Sequence, residues 1–119
     1  MNITLKNIKK YYSLGKSKIH ALKGISMDIK EGDFICLVGP SGCGKTTLLN
    51  ILGCLDKCDE GDVLYDSVNV ETLNDNELSD MRLDNIGFIF QSFNLIPVLN
   101  IVENIEFPLI AAGVDKEER

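Results

Sequence analysis

Two stretches near the start of the chain alternate apolar with polar residues. ITLKNI (residues 3–8) and ALKGISMDIK (residues 21–30) both have the pattern of a strand with one solvated face. In the second, Ile25, Met27 and Ile29 fall on one side and Ser26, Asp28 and Lys30 on the other. SLGKSK, between them, reads as a loop, and EGD (31–33) as a tight turn. FICLV (34–38) breaks the alternation. Five apolar residues in a row predict a strand buried on both faces of a parallel sheet, with Cys36 as a small buried hydrophobe. TTLLNILGCL predicts a helix, because Leu48, Leu49, Leu52 and Leu55 recur at helical spacing. Gly61 marks a turn into the strand DVLY. NDNELSDMR (74–82) predicts a short polar helix with an Asn or Asp cap. IGFIF (86–90) is a second fully apolar strand, and QSFNLIP a loop. IVENIEFPLIAAG predicts a helix that packs by its apolar side and is interrupted at Pro108. The class is α/β: an antiparallel β part first, then a parallel core flanked by helices.

Composition narrows this picture without changing it. The 119 residues suffice for one small domain, and 45% apolar residues allow a core. A net charge of -6 argues against nucleic acid as a partner. No apolar run is long enough to span a bilayer, and MNITLKNIKKYY lacks a signal-peptide core, so the expected location is the cytoplasm. The cysteines (Cys36, Cys43, Cys54 and Cys58) read as reduced thiols, and zinc would need ligands that are not close by in the sequence. His20 reads as a loop or surface residue, and KNIKK as a solvated strand face.

The candidate chemistry lies between the first apolar strand and the leucine helix. Gly39-x-x-x-x-Gly44-Lys45-Thr46 matches the P-loop pattern in the strand–loop–helix context that pattern requires. Glycines let successive amide N–H groups turn into one concavity, and the helix adds the positive end of its dipole. Residues Gly39, Pro40, Ser41, Gly42, Cys43, Gly44, Lys45, Thr46 and Thr47 would cradle the phosphates. Lys45 would reach the β- and γ-phosphates, Thr46 would be a ligand of Mg²⁺, and Thr47 would reach the α-phosphate.

With LKNIKKYY, ALKGISMDIKEGDFICLVGPSGCGKTTLLNILGCLD and IGFIFQSFNLIPVLNIVENIEFPL, the chain resembles the N-terminal half of an ABC transporter ATP-binding subunit. NILGCLDK and FQSFNLIPVLNIVENI are most similar to the branch of macrolide-exporter and lipoprotein-release ATPases. The resemblance implies a P-loop NTPase fold of the ABC type with an incomplete parallel core sheet. It implies ATP and Mg²⁺ as ligands, and ATP hydrolysis coupled to transport. Implied partners are membrane-spanning permease subunits and a second ATP-binding copy, with the subunit peripheral on the inner face of the cell membrane. It places an aromatic residue on the adenine, matching Tyr12, with Tyr11 open as its neighbour. It assigns Gln91, at the end of FIFQ, to the metal or the attacking water, so that Lys45 and Gln91 are the candidate catalytic residues.

Three features of the family are not found in these residues: an LSGGQ-type signature, an apolar strand ending in Asp–Glu, and a switch histidine. The expectation is therefore one truncated nucleotide-binding domain over residues 1–119, ending within the helical subdomain. Two alternatives are a non-catalytic nucleotide-binding fragment and a nucleoside monophosphate kinase. The kinase reading has only Arg82 and Arg119 to clamp a second substrate's phosphates.

Overall fold

A computed structural model describes all 119 residues. They fall into two compact units, Met1–Leu78 and Ser79–Arg119.

The first unit is built on a four-stranded antiparallel sheet of β1 (Ile3–Leu14), β2 (Ser17–Ile29), β3 (Glu60–Tyr65) and β4 (Val68–Asn69), in the order β2-β1-β3-β4. SLGKSK is not a loop but the tip of a hairpin. Gly15, at φ 61, takes the first of two turn positions, and the ladder closes with Leu14 opposite Ser17 and Tyr12 opposite Ile19. Both strands therefore run well beyond the alternating stretches that predicted them.

The β1–β2 register is irregular at three places, the first of them in the alternating stretch of β1. Asn7 sits at φ 50, and the register shifts between Leu5 and Ile8. That extra residue is a bulge, and it brings Leu5 and Ile8 to the same buried face although they are three apart. Gly61, read as a turn, lies inside β3 beside the bulge. A Cβ there would come within 2.5 Å of the Lys6 carbonyl oxygen, so only glycine lets the strands approach. In β2, Ile25, Met27 and Ile29 are half-buried while Ser26 and Asp28 face solvent, as the pattern predicts.

One helix covers the sheet. Helix α1 (Lys45–Leu52) contributes Leu48 and Ile51 to a core with Leu5, Ile8, Leu22, Val63 and Tyr65, joined by Cys54, Val70 and Leu78. It stops at Gly53, so Leu55 lies beyond it and is exposed. Tyr65 donates its hydroxyl proton to the Leu52 carbonyl, and burial raises the pKa of that phenol. A single 3₁₀ turn, Val70–Thr72, leads to α2 (Asp75–Asn85). The predicted cap of α2 is present: Asn74 accepts from the Asn76 and Glu77 amides, and Glu77 reaches back to the Asn74 amide.

The two apolar runs behave differently from the parallel-strand expectation. Residues 34–38 and 86–90 form no ladder with any strand. Phe34 is 99% exposed and Ile89 fully so, and Cys36 is exposed rather than buried. Beyond Leu78 no residue is buried. Helix α3 (Ile101–Ala111), with Asn100 and Glu103 forming its capping box, runs through Pro108 instead of breaking there. Asn104 fastens its first turn by donating to the carbonyls of Ile96, Leu99 and Asn100. Its apolar residues Ile101, Val102, Ile105, Phe107 and Ile110 stay largely exposed, so the expected helix packing is not made within the chain.

This division predicts opposite responses to truncation. Ile8→Ala should lower unfolding free energy by about 2–5 kcal/mol, the range for emptying a buried aliphatic site. Ile89→Ala should change it by less than about 0.5 kcal/mol. Urea denaturation followed by circular dichroism measures both, and equal effects would contradict this placement of the core.

Candidate nucleotide site

Gly44 docks the loop onto the sheet. It caps α1 at φ 98, and a Cβ there would come within 2.6 Å of the Ala21 carbonyl oxygen on β2. The start of α1 therefore lies directly on β2, and the Leu48 amide closes the first turn by donating to the Gly44 carbonyl at 2.9 Å. β2 is hydrogen-bonded to β1, so the same contact brings the hairpin to the loop.

The result is a cleft of about 430 Å³ lined by Tyr12, Ile19, His20 and Ala21 from the hairpin and by Ser41, Gly42, Gly44, Lys45, Thr46 and Thr47 from the loop and α1. No carboxylate lines it. Its polar wall is the Lys45 ammonium, three hydroxyls and the start of a helix, a donor set suited to phosphate oxygens. Its other wall is aromatic and aliphatic, suited to a flat ring.

The loop residues divide into two groups. Gly39, Pro40 and Cys43 do not line the cleft. They hold Lys45, whose ammonium donates to the Gly39 carbonyl at 2.8 Å and the Pro40 carbonyl at 2.7 Å, with Cys43 Sγ 3.5 Å away. The two tyrosines separate as well. The Tyr12 hydroxyl lies 3.5 Å from Thr47 Oγ1 and 3.5 Å from Asp56 Oδ2. Tyr11 is engaged elsewhere: it donates to Glu60 at 2.7 Å, packs edge-on against His20, and carries the Lys18 ammonium 3.9 Å from its ring centre. Gln91 belongs to the second unit, in an exposed turn after residues 86–90.

Ile19, His20 and Ala21 are cleft residues that reading the sequence as strands and loops does not find. A two-residue turn at Gly15 and Lys16 would have found Ile19, since counting back from it sets Ile19 opposite Tyr12. His20, read as a loop or surface residue, is exposed but lies on β2.

The ABC transporter family model matches residues 22–119. The chain belongs to the ABC transporter family. It is 54% identical over 108 residues to the ABC transporter ATP-binding protein MJ0796 of Methanocaldococcus jannaschii, covering 91% of this chain and 46% of that one. It is 42% identical over 117 residues to the macrolide export ATP-binding/permease protein MacB of Mannheimia succiniciproducens, covering 98% of this chain and 18% of that one. A solved dimer of the MJ0796 ATP-binding cassette bound to ADP and Pi superposes with a TM-score of 0.92 at 50% identity, over 98% of this chain and 51% of that one. This ABC chain thus spans about half the length of MJ0796 and has the α/β P-loop fold of such cassettes.

The four thiols give the site a built-in reporter. Cys36 and Cys43 are exposed, Cys54 is buried, and Cys58 is partly covered. Burial first, then the hydrogen bond and charge of Glu71, push the Cys58 thiol up to about 12. At pH 8 an alkylating reagent should modify Cys36 and Cys43 quickly, with Cys58 gaining reactivity only as the pH climbs toward that value. Cys43 touches Lys45 rather than the cleft, so Mg-ATP that draws Lys45 to the phosphates should change the labelling of Cys43 alone, with Cys36 as internal control. Mass-spectrometric mapping reads all four, and equal Cys43 labelling with and without Mg-ATP would contradict a phosphate-holding loop.

Proposed function

We propose that residues 1–119 are the ATP-binding part of the motor subunit of an ABC transporter, both units belonging to one nucleotide-binding domain. The observation that carries this reading is the cleft. Tyr12 and the P-loop residues Ser41, Gly42 and Gly44 to Thr47, distant in sequence, meet across one cavity of nucleotide size. Tyr12 stacks on the adenine, with Ile19 opposite it in the ladder. Amides and hydroxyls at Ser41, Gly42, Gly44, Thr46 and Thr47 take the phosphate oxygens. Lys45 exchanges the Gly39 and Pro40 carbonyls for the β- and γ-phosphates. Thr46 would offer its hydroxyl oxygen as a ligand to a divalent ion, the phosphates bringing the negative charge that the cleft lining lacks. Mg²⁺, when bound, supplies charge neutralisation between phosphate oxygens. Gln91 is assigned to the metal or the attacking water on the family resemblance alone.

In the whole transporter, ATP binding would close two such subunits on each other and hydrolysis would reopen them, moving permease subunits at the inner face of the membrane. The MJ0796 cassette is dimeric in its solved structure, which supports the paired arrangement. No helix here is long and apolar enough to cross a membrane.

For these 119 residues a second reading concerns rate. They hold a phosphate cradle but no identifiable general base, and positioned groups of that kind contribute roughly 10²–10⁴-fold each. Binding without turnover is the expected behaviour. Lys45→Ala should weaken Mg-ATP at least about tenfold through loss of charge-assisted hydrogen bonds. Phosphate release by the parent chain should not exceed that of Lys45→Ala. Calorimetric titration and a phosphate-release assay on homogeneous protein test the two statements. Unchanged affinity in Lys45→Ala would overturn the cradle, and sustained Lys45-dependent turnover would overturn the binding-only reading.

A further inference from the structure

Several polar groups converge on Tyr12 from the end of α1. Lys10, two residues earlier on β1, keeps only 11% of its side chain exposed. Its ammonium donates to Asp56 Oδ1 at 2.8 Å and to the Lys57 carbonyl at 2.6 Å. The Lys57 amide donates to the same Oδ1 at 2.8 Å. The other carboxylate oxygen, Asp56 Oδ2, lies 3.5 Å from the Tyr12 hydroxyl, at the long limit for such a contact. Finally, the Lys10 ammonium lies 5.7 Å from the centre of the Tyr12 ring. Asp56 thus faces Lys10 and Lys57 with one oxygen and Tyr12 with the other.

We propose that Lys10 and Asp56 form a clamp that positions Tyr12, holding the hydroxyl end of its ring at the mouth of the cleft so that the ring face is set before a purine base arrives. This rests on the reading of Tyr12 as the adenine platform. Neither clamp residue lines the cleft, so both act through Tyr12 and are positioning residues. The physical gain is preorganisation: a ring whose rotamer is already fixed loses less freedom when the base stacks on it. The pair is suited to that task because it is partly sheltered from solvent and less screened than a surface ion pair. Burial by itself pulls the Lys10 pKa down, yet the hydrogen bond and charge of Asp56, with the charge of Asp59 and the Tyr12 phenol, together hold it above its ordinary value. The clamp also ties the strand that carries Tyr12 to the segment just after α1, so the base wall and the phosphate wall are joined at two places, through Gly44 and through Asp56.

The test separates the base from the phosphates. Affinities for Mg-ATP and for Mg-tripolyphosphate are measured by calorimetry on the 119-residue chain and on Asp56→Ala, Tyr12→Ala and the double variant. Tyr12→Ala should weaken Mg-ATP about tenfold or more, and tripolyphosphate hardly at all. Asp56→Ala should weaken Mg-ATP by roughly three- to fivefold with tripolyphosphate unchanged. Added to Tyr12→Ala, it should cause no further loss, because the clamp has nothing left to position. Where Asp56→Ala does not fold, Asp56→Asn and Lys10→Gln carry the test with the same adenine-specific signature. A Tyr12 effect without an Asp56 effect overturns the clamp and leaves the base reading standing. No Tyr12 effect overturns the base reading and the clamp with it. Equal loss of both ligands in Asp56→Ala overturns the clamp and makes Asp56 a structural residue only.

Discussion

The candidate site depends on the close approach of Gly44 to β2. A left-handed backbone at the start of α1 sits where any side chain would collide with the Ala21 carbonyl oxygen. That single constraint sets the P-loop against the hairpin, and the hairpin register then decides which side chains face the P-loop across the cleft. With Leu14 opposite Ser17, Tyr12 and Ile19 must be partners, and both line the cleft. A one-residue slip in the hairpin would exchange the faces and offer Tyr11 instead. The bulge at Asn7 performs the same service for the core, bringing Leu5 and Ile8 to one side of β1. Backbone geometry at a few positions therefore fixes both the packing and the chemistry.

The apolar segments at residues 34–38 and 86–90 show the other side of this logic. Their sequences are suited to the middle of a parallel sheet, where both faces are covered and both edges paired. The solved MJ0796 cassette that superposes on this chain is about twice as long. Within the 119 residues the two segments have no paired neighbour, and their side chains stay in solvent. The first unit, by contrast, closes its own core with an antiparallel sheet and one helix. Antiparallel hairpins need only local turns, while parallel strands need a crossover and distant partners.

Much of this was legible in the sequence for reasons that can be named. The P-loop is a local pattern, and its Gly44, Lys45, Thr46 and Thr47 were placed by it directly. The cap at Asn74 and Glu77, the turn at Glu31–Asp33, and the alternation of Ile25, Met27 and Ile29 are equally local. What escaped was set by contacts across the sheet. The hairpin at Gly15 was hidden because SLGKSK is polar and reads as a loop. The burial of Ile8 was hidden by a bulge that breaks period two. Cys36 reads as buried by its neighbours in sequence, but burial needs neighbours in space. Pro108 reads as a breaker, yet the helix around it is already nucleated and capped when the proline is reached. The resemblance points to Tyr12 and leaves its neighbour Tyr11 open because both have the same chemistry; the strand register tells their faces apart.

One cleft in the first unit would hold a base against the hairpin and phosphates against the P-loop. Backbone amide shifts in a ¹⁵N-labelled 119-residue chain, titrated separately with Mg-ATP and Mg-tripolyphosphate, address it residue by residue. Both ligands should move Gly42, Gly44, Lys45, Thr46 and Thr47, while only Mg-ATP should move Tyr12 and Ile19. Identical perturbations by the two ligands, or shifts from Mg-ATP that leave Tyr12 and Ile19 in place, would contradict it.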